Sequence, residues 1–130
     1  MAKIRTQYLG KQVKGPTKKL DIVPWTGGTM VVKLHCTEFT SHCPVTGQPD
    51  FARLEIEYQP KEYIVETKSV KMYLWSFRNA KNFNERLVDE IAKDFQKQVQ
   101  PQWVHVCGIF NTRGGISVEA RANYNSLCTA

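Results

Sequence analysis

The chain predicts two neighbouring strands in its first half. Residues 29–37 are rich in β-branched side chains, and residues 51–58 place Leu54, Ile56 and Tyr58 between charged residues. A period of two is typical of strands with one buried face. We therefore expect strands over Thr29–Thr37 and Phe51–Tyr58.

The apolar spacing then changes to that of two amphipathic helices, over residues 68–79 and about 82–99. Apolar residues recur at intervals of three and four, which places them on one helix face. They are Val70, Tyr73, Leu74 and Phe77 in the first helix and Leu87, Val88, Ile91 and Phe95 in the second. Pro101 ends the second helix, because proline has no backbone N–H to donate.

Two more strands close the pattern. Trp103–Phe110 and Gly115–Ala120 read as strands joined by the hairpin-like connection Asn111–Gly114. The order ββααββ predicts an α+β fold, an antiparallel sheet with two helices on one face. Such a sheet has two free edges, which pairing between subunits would satisfy.

Composition indicates one domain. The chain has 130 residues, of which 42% are hydrophobic and 23% charged, and it contains no apolar run long enough to cross a bilayer. The N-terminus lacks the apolar stretch of a secretory signal, and the four cysteines do not resemble a disulfide framework. We expect a soluble cytoplasmic protein.

The net charge of +6 comes from one end of the chain. Six of the 18 basic residues lie within residues 1–20, which contain no acid, so residues 21–130 balance 12 basic against 12 acidic residues. This division predicts a basic arm over 1–20 and a single domain over 21–130. No RNA-binding motif accompanies the arm, so nucleic-acid binding is not expected.

The loop from Cys43 to Asp50 carries the first candidate chemistry. Pro44 and Pro49 restrict the backbone, and Gly47 allows a positive φ, so the loop has a defined shape. A thiol can attack an electrophilic carbon and a carboxyl can supply a proton. The alternative is a surface turn with a half-buried cysteine.

The first helix also has a cationic ridge opposite its apolar face, formed by Lys68, Lys71, Trp75 and Arg78. Cations at this spacing suit the phosphates of a dinucleotide, and the alternative is a solvated helix face.

Two short motifs suit recognition of a flat heterocycle and a phosphate. Phe83 can stack on a ring and Glu85 can accept from ring N–H groups, or they serve the core and the helix N-terminus. Arg113-Gly114-Gly115 suits a phosphate-binding turn or a plain hairpin.

Histidine and cysteine occur close together at His35-Cys36, His42-Cys43 and His105-x-Cys107. None of these pairs has the spacing of zinc ligands, so we expect no metal site.

Three segments carry a family resemblance. The chain resembles the single-domain 7-cyano-7-deazaguanine reductases, the NADPH-dependent nitrile reductases of queuosine biosynthesis, from about Thr29 to Tyr124. The matching segments are Glu38–Phe51, Glu66–Asn79 and Arg113–Ser117.

The resemblance implies a tunnelling fold assembled as an oligomeric ring, commonly a decamer of two pentamers with active sites at subunit interfaces. It implies that Cys43 attacks the nitrile carbon of 7-cyano-7-deazaguanine to give a thioimide, and that Asp50 protonates the nitrogen. Covalent addition makes the carbon accessible to hydride. Two NADPH would be consumed for each 7-aminomethyl product.

The resemblance also implies roles for the remaining candidate residues. The substrate pocket would be lined by Val65, Glu66, Thr67, Phe83, Asn84 and Glu85, and NADPH would be held by Lys68, Lys71, Arg78 and Arg113. The family usually has histidine at the position of Asn84, which can hydrogen-bond but cannot titrate. Some members carry a cysteine at the position of Leu87, so Cys43 lacks that disulfide partner.

Three other functions remain open from the sequence. One is a related amidinotransferase that adds ammonia to the same nitrile in archaeal tRNA without NADPH. The second is a non-catalytic or nucleic-acid-associated relative, and the third is a zinc cyclohydrolase of the same fold. The cationic ridge favours the reductase.

Overall fold

The computed structural model describes residues 15–127. This part of the chain forms eight elements, which are in chain order β1 Ile22–Pro24, β2 Val32–His42, β3 Pro49–Gln59, β4 Tyr63–Val65, α1 Thr67–Trp75, α2 Asn84–Val99, β5 Trp103–Arg113 and β6 Ile116–Asn125. The long elements follow the expected ββααββ order. Each of β1 and β4 has three residues, too few to leave a periodic signal in the sequence.

The four long strands form one antiparallel sheet in the order β2-β3-β5-β6. The hairpin between β5 and β6 turns at Gly114 and Gly115, which have φ values of 57° and 78°. Two consecutive positive φ values belong to a tight two-residue turn, for which glycine is favoured because it has no Cβ. The short strands β1 and β4 pair separately, with Ile22 opposite Val65.

Helix α2 covers the sheet. Its buried residues recur along one face: Leu87, Val88, Ile91, Ala92, Phe95 and Val99. They pack against the alternate buried residues of β3, including Leu54, Ile56 and Tyr58, and against Val104 and Val106 of β5. Gln100 ends the helix in the left-handed conformation with φ 54°, and Pro101 follows.

Helix α1 is attached to α2 through one buried aromatic side chain. The Tyr73 hydroxyl donates to Asp94 Oδ2 of α2 at 2.6 Å, and its ring packs edge-on against Phe77 and Phe95. Burial raises the pKa of Asp94, although the bond from Tyr73 opposes that shift. Both helices therefore share one core with the same face of the sheet.

The connection between the helices returns to the end of β2. The expected first helix reached Asn79, but α1 ends at Trp75, and the backbone N–H groups of Phe77 and Arg78 bond three residues back to Leu74 and Trp75. The His42 N–H then donates to the Ala80 carbonyl at 2.9 Å. This bond brings the start of α2 beside the residue that precedes Cys43.

The last residues of the expected arm contact the helices. The Leu20 N–H donates to Gln98 Oε1 at 2.7 Å, and Lys18 Nζ lies 3.2 Å from Glu90 Oε2 and 3.1 Å from the Phe77 ring centroid. Residues 1–14 of the arm, and residues 128–130 at the other end, lie outside the described residues.

Gly108 allows α2 to approach the sheet closely. A Cβ at this position would lie 2.7 Å from Val88 Cγ2 and 2.9 Å from Phe110 Cε2, both in the core. We expect Gly108→Ala to lower the free energy of unfolding by about 1–3 kcal/mol, because the β-branched Val88 cannot turn aside. Urea denaturation measures the loss. Gly28→Ala is the control, since no heavy atom lies within 4 Å of its Cβ. Equal urea midpoints for Gly108→Ala and Gly28→Ala would contradict this packing.

Candidate functional site

The chain between β2 and β3 folds into a single tight turn. The Gly47 N–H donates to the Cys43 carbonyl at 2.9 Å, and the Cys43 N–H donates to the Gln48 carbonyl at 2.9 Å. Gly47 has φ 74°, which a residue with a Cβ rarely adopts. Pro44 and Pro49 donate no hydrogen bond and restrict φ. Cys43 is therefore held at the start of a closed loop.

The turn directs three donors at the Cys43 sulfur. These donors are the Thr46 hydroxyl and the backbone N–H groups of Thr46 and Val45, and together they lower the pKa of the Cys43 thiol. The side chain of a helix N-cap residue accepts hydrogen bonds in the same way, from the backbone N–H groups two and three positions later in the chain. Desolvation and, to a lesser degree, the charge of Asp50 oppose this lowering of the pKa.

Asp50 is clamped by an arginine from the β5–β6 hairpin. Arg113 Nε lies 2.8 Å from Asp50 Oδ1, and Arg113 Nη1 donates to Gln48 Oε1 at 3.0 Å. A third bond runs from Arg113 Nη2 to the Pro49 carbonyl. One guanidinium thus holds the carboxylate and the end of the cysteine loop together.

A groove of about 940 Å³ begins beside this loop and runs between β2 and α1. His42 and Pro49, which adjoin Cys43 and Asp50, line one end of it. Thr67, Lys71, Trp75 and Arg78 of the helix side also line it. Three members of the cationic ridge therefore face one groove, whereas Lys68 does not line it.

The predicted substrate residues lie at the two helix N-termini. Val65 is buried, and Glu66 caps α1, where its carboxylate oxygens accept from the N–H groups of Lys68 and Ser69 at 2.9 Å. Phe83 immediately precedes α2 and is 56% exposed. Asn84 begins the helix.

Glu85 lies apart from the first groove. It lines a second groove between α2 and β6, together with Asp89 and Arg121. Within one chain, the structure therefore joins Cys43 to Asp50 and Arg113, and places Glu85 in a separate cleft.

Sequence reasoning missed Thr46. Its side chain makes the largest contribution to the lowered pKa of the Cys43 thiol, and its hydroxyl accepts from the Gln48 N–H at 3.3 Å. The sequence pattern that could have identified it is a cysteine followed directly by proline, with a threonine three positions after the cysteine. This pattern is typical of a capped turn.

Two negative findings concern metals and membranes. Within residues 15–127, no three side chains among His, Cys, Asp and Glu are grouped closely enough to hold a metal ion. In the same part of the chain, neither helix has the length and apolar character needed to span a bilayer.

Comparison with known proteins identifies the family. The family model described as QueF-like protein matches residues 49–128. A relative from Syntrophus aciditrophicus, named NADPH-dependent 7-cyano-7-deazaguanine reductase, is 42% identical over 122 residues, which cover 92% of this chain and 86% of that protein. The chain belongs to the QueF-like protein family.

Longer relatives are also similar. Proteins of the same name from Bacteroides thetaiotaomicron and Streptococcus thermophilus are 53% and 47% identical over 93 residues, 72% of this chain. The matched region spans only 62% and 57% of those two proteins.

A solved structure confirms the expected fold. The apo crystal structure of the archaeosine synthase QueF-Like aligns with a TM-score of 0.65, covering 76% of this chain and 95% of that one. At 21% identity, the likeness is one of fold alone. The tunnelling fold expected for this QueF-like chain is therefore present.

We expect Thr46→Val to raise the pKa of Cys43, because the thiolate loses its hydroxyl donor while the backbone donors remain. The thiolate would then form at higher pH, so iodoacetamide would alkylate Cys43 several-fold more slowly near neutral pH. The rate is measured against pH by mass spectrometry. Thr26→Val, at an exposed position before β2, is the control. An unchanged pH midpoint for Thr46→Val would contradict the assignment.

Proposed function

We propose that this protein reduces the nitrile 7-cyano-7-deazaguanine to the 7-aminomethyl compound, with NADPH as hydride donor, in queuosine biosynthesis. The observation that carries the proposal is the closed loop that begins at Cys43 and ends at the carboxylate of Asp50, which Arg113 binds. The names of the similar proteins support the same substrate and cofactor.

Cys43 is the nucleophile. Its sulfur forms a bond to the nitrile carbon, and one π bond of C≡N becomes an electron pair on nitrogen that takes up a proton. Asp50, held by Arg113, accepts the thiol proton and then passes it to nitrogen. The product is a neutral thioimide, and no external acid is needed.

Two hydrides and two protons convert the nitrile to the amine, and bound NADPH would supply each hydride in turn. The carbon–sulfur bond breaks after the first hydride has added, which returns Cys43 as thiolate. Arg113 holds the Asp50 carboxylate in place during these steps. A clamp of this kind limits the reorganisation that each proton transfer requires.

The groove beside the loop suits a dinucleotide. Lys71 and Arg78 present charges for phosphate oxygens, and the exposed ring of Trp75 offers a stacking surface. We assign Lys71 and Arg78 as the main phosphate contacts and Lys68 as a peripheral one. The Arg113 guanidinium already bonds to Asp50, Gln48 and Pro49, so any contact it makes with the cofactor is secondary to the clamp.

The base of the substrate is assigned to the helix N-termini. Phe83 offers an exposed ring for stacking, and Glu85 offers a carboxylate for the guanine-like N–H edge. We assign Val65, Glu66 and Thr67 to the same substrate pocket, in which Asn84 contributes hydrogen bonds without titrating.

Assembly of subunits into a ring would bring the Glu85 groove together with the cysteine loop and the groove that Lys71 and Arg78 line. The outer strands of the described sheet, β2 and β6, each have one neighbour. Pairing them between subunits would satisfy both edges and would place the Glu85 groove of one subunit against another. We infer a homo-oligomer with sites at its interfaces, of the decameric form that the resemblance implies.

Replacement of the nucleophile tests the proposal. We expect Cys43→Ala to abolish both NADPH oxidation and the covalent adduct of protein with 7-cyano-7-deazaguanine, because no other group attacks the nitrile. Absorbance of NADPH and intact-protein mass measure the two effects. Cys107→Ser, a half-buried cysteine of β5, is the control and should retain both.

Undiminished turnover by Cys43→Ala would disprove the mechanism. Consumption of the nitrile with ammonia, and without NADPH oxidation, would favour the amidinotransferase.

The cofactor groove is tested separately. We expect Lys71→Gln and Arg78→Gln to raise KM for NADPH about tenfold each, since each loses a charge-assisted bond to phosphate. Adduct formation measured without NADPH should stay unchanged. Lys93→Gln, an exposed lysine of α2, controls for net charge. If all three variants keep the wild-type KM, NADPH binds elsewhere.

A further inference from the structure

Ser41 is a fully buried hydroxyl that the mechanism above does not use. It lies near the end of β2 with 0% exposure, and its Oγ has no hydrogen-bond partner among residues 15–127. A buried polar atom without a partner costs free energy, and most such atoms in native proteins are bonded. The stability of the fold therefore does not explain why a hydroxyl group is present at this position.

Asp50 is the residue directly opposite Ser41. The two are Cα partners across the antiparallel β2–β3 ladder. Opposed residues project from the same face of a sheet, with Cβ atoms about 5 Å apart. Asp50 is only 8% exposed, so both side chains occupy one buried position at the edge of the core.

Arg113 binds the ionised form of this carboxylate. Its Nε holds Asp50 Oδ1 at 2.8 Å, an arrangement suited to a negative charge on the oxygen. In the proposed reaction Asp50 takes the thiol proton before passing it to nitrogen. A neutral carboxyl loses most of its attraction for the guanidinium and gains an O–H donor that needs an acceptor.

We propose that Ser41 is a positioning residue whose hydroxyl binds the carboxyl of Asp50 while Asp50 carries the proton. The inference rests on the proposed function. Ser41 Oγ accepts from the new O–H group or donates to the other carboxyl oxygen, and a hydroxyl can rotate to do either. Arg113 would then bind the Asp50 carboxylate before it takes the proton, and Ser41 would bind the same side chain while it carries the proton.

A serine kept only for packing would behave differently. Packing predicts that Ser41→Ala has no effect on chemistry, or that it lowers stability and activity together. Positioning predicts that chemistry slows while stability holds, because the variant removes a hydroxyl that makes no hydrogen bond within residues 15–127.

The test separates proton delivery from nucleophilicity. Ser41→Ala and the wild type are mixed with 7-cyano-7-deazaguanine without NADPH, quenched at intervals, and weighed by intact mass. We expect adduct formation to slow at least about tenfold. Alkylation of Cys43 by iodoacetamide, which needs no proton donor, should proceed at the wild-type rate, and the thermal midpoint should be equal or higher.

Two further variants sharpen the result. In an Asp50→Asn background, Ser41→Ala should cause no additional slowing, because a residue that acts through Asp50 has nothing left to position. Ser76→Ala is the matched control. Its hydroxyl donates to the Tyr73 carbonyl, so this variant should lower the thermal midpoint and leave adduct formation unchanged.

Three outcomes would overturn the inference. They are a wild-type adduct rate in Ser41→Ala, a loss of adduct rate together with alkylation and stability, and full additivity with Asp50→Asn. Absence of any adduct in the wild type would instead overturn the proposed function, and this inference with it.

Discussion

The close packing of α2 on the sheet is the constraint on which the rest of the structure depends. Val88 lies over Gly108, and Phe95 packs between Tyr58 and Tyr73. A single helix thereby joins β3, β5 and α1 in one core. Because the core is close-packed, the position of α2 also determines where the connection from α1 must return. That connection meets the end of β2 at His42 and so reaches the cysteine loop.

The cysteine loop is held in part by a residue that is distant in the chain. Its own residues supply the turn and the donors to sulfur. Arg113, more than sixty residues away, supplies the clamp on Asp50 and on the loop's last residues. The hairpin of β5 and β6 places that arginine, and its tight turn depends on Gly114 and Gly115. The position of the Asp50 carboxylate is therefore linked to the β5–β6 hairpin, whose first strand pairs with β3.

Local patterns predicted the strands and helices well because burial dominates their periodicity. Leu54, Ile56 and Tyr58 alternate as expected, and Leu87, Val88, Ile91 and Phe95 are all buried. The predicted ends of the elements were less accurate than the predicted elements themselves. The first helix stops at Trp75 rather than Asn79, and β2 continues to His42, because hydrogen bonds to neighbouring strands and turns decide where an element ends. Strands as short as β1 and β4 depend on pairing with each other.

The sequence by itself determined the ββααββ order, the stiff loop from Cys43 to Asp50 and the cationic face of α1. Each of these depends on residues near one another in the chain. Only the tertiary structure decided that Arg113 binds Asp50, that Ser41 pairs with Asp50 across the β2–β3 ladder, and that Lys71 and Arg78 share a groove with His42. These relations depend on strand register and helix placement. Both are set by long-range packing, which a pattern of local spacing does not encode.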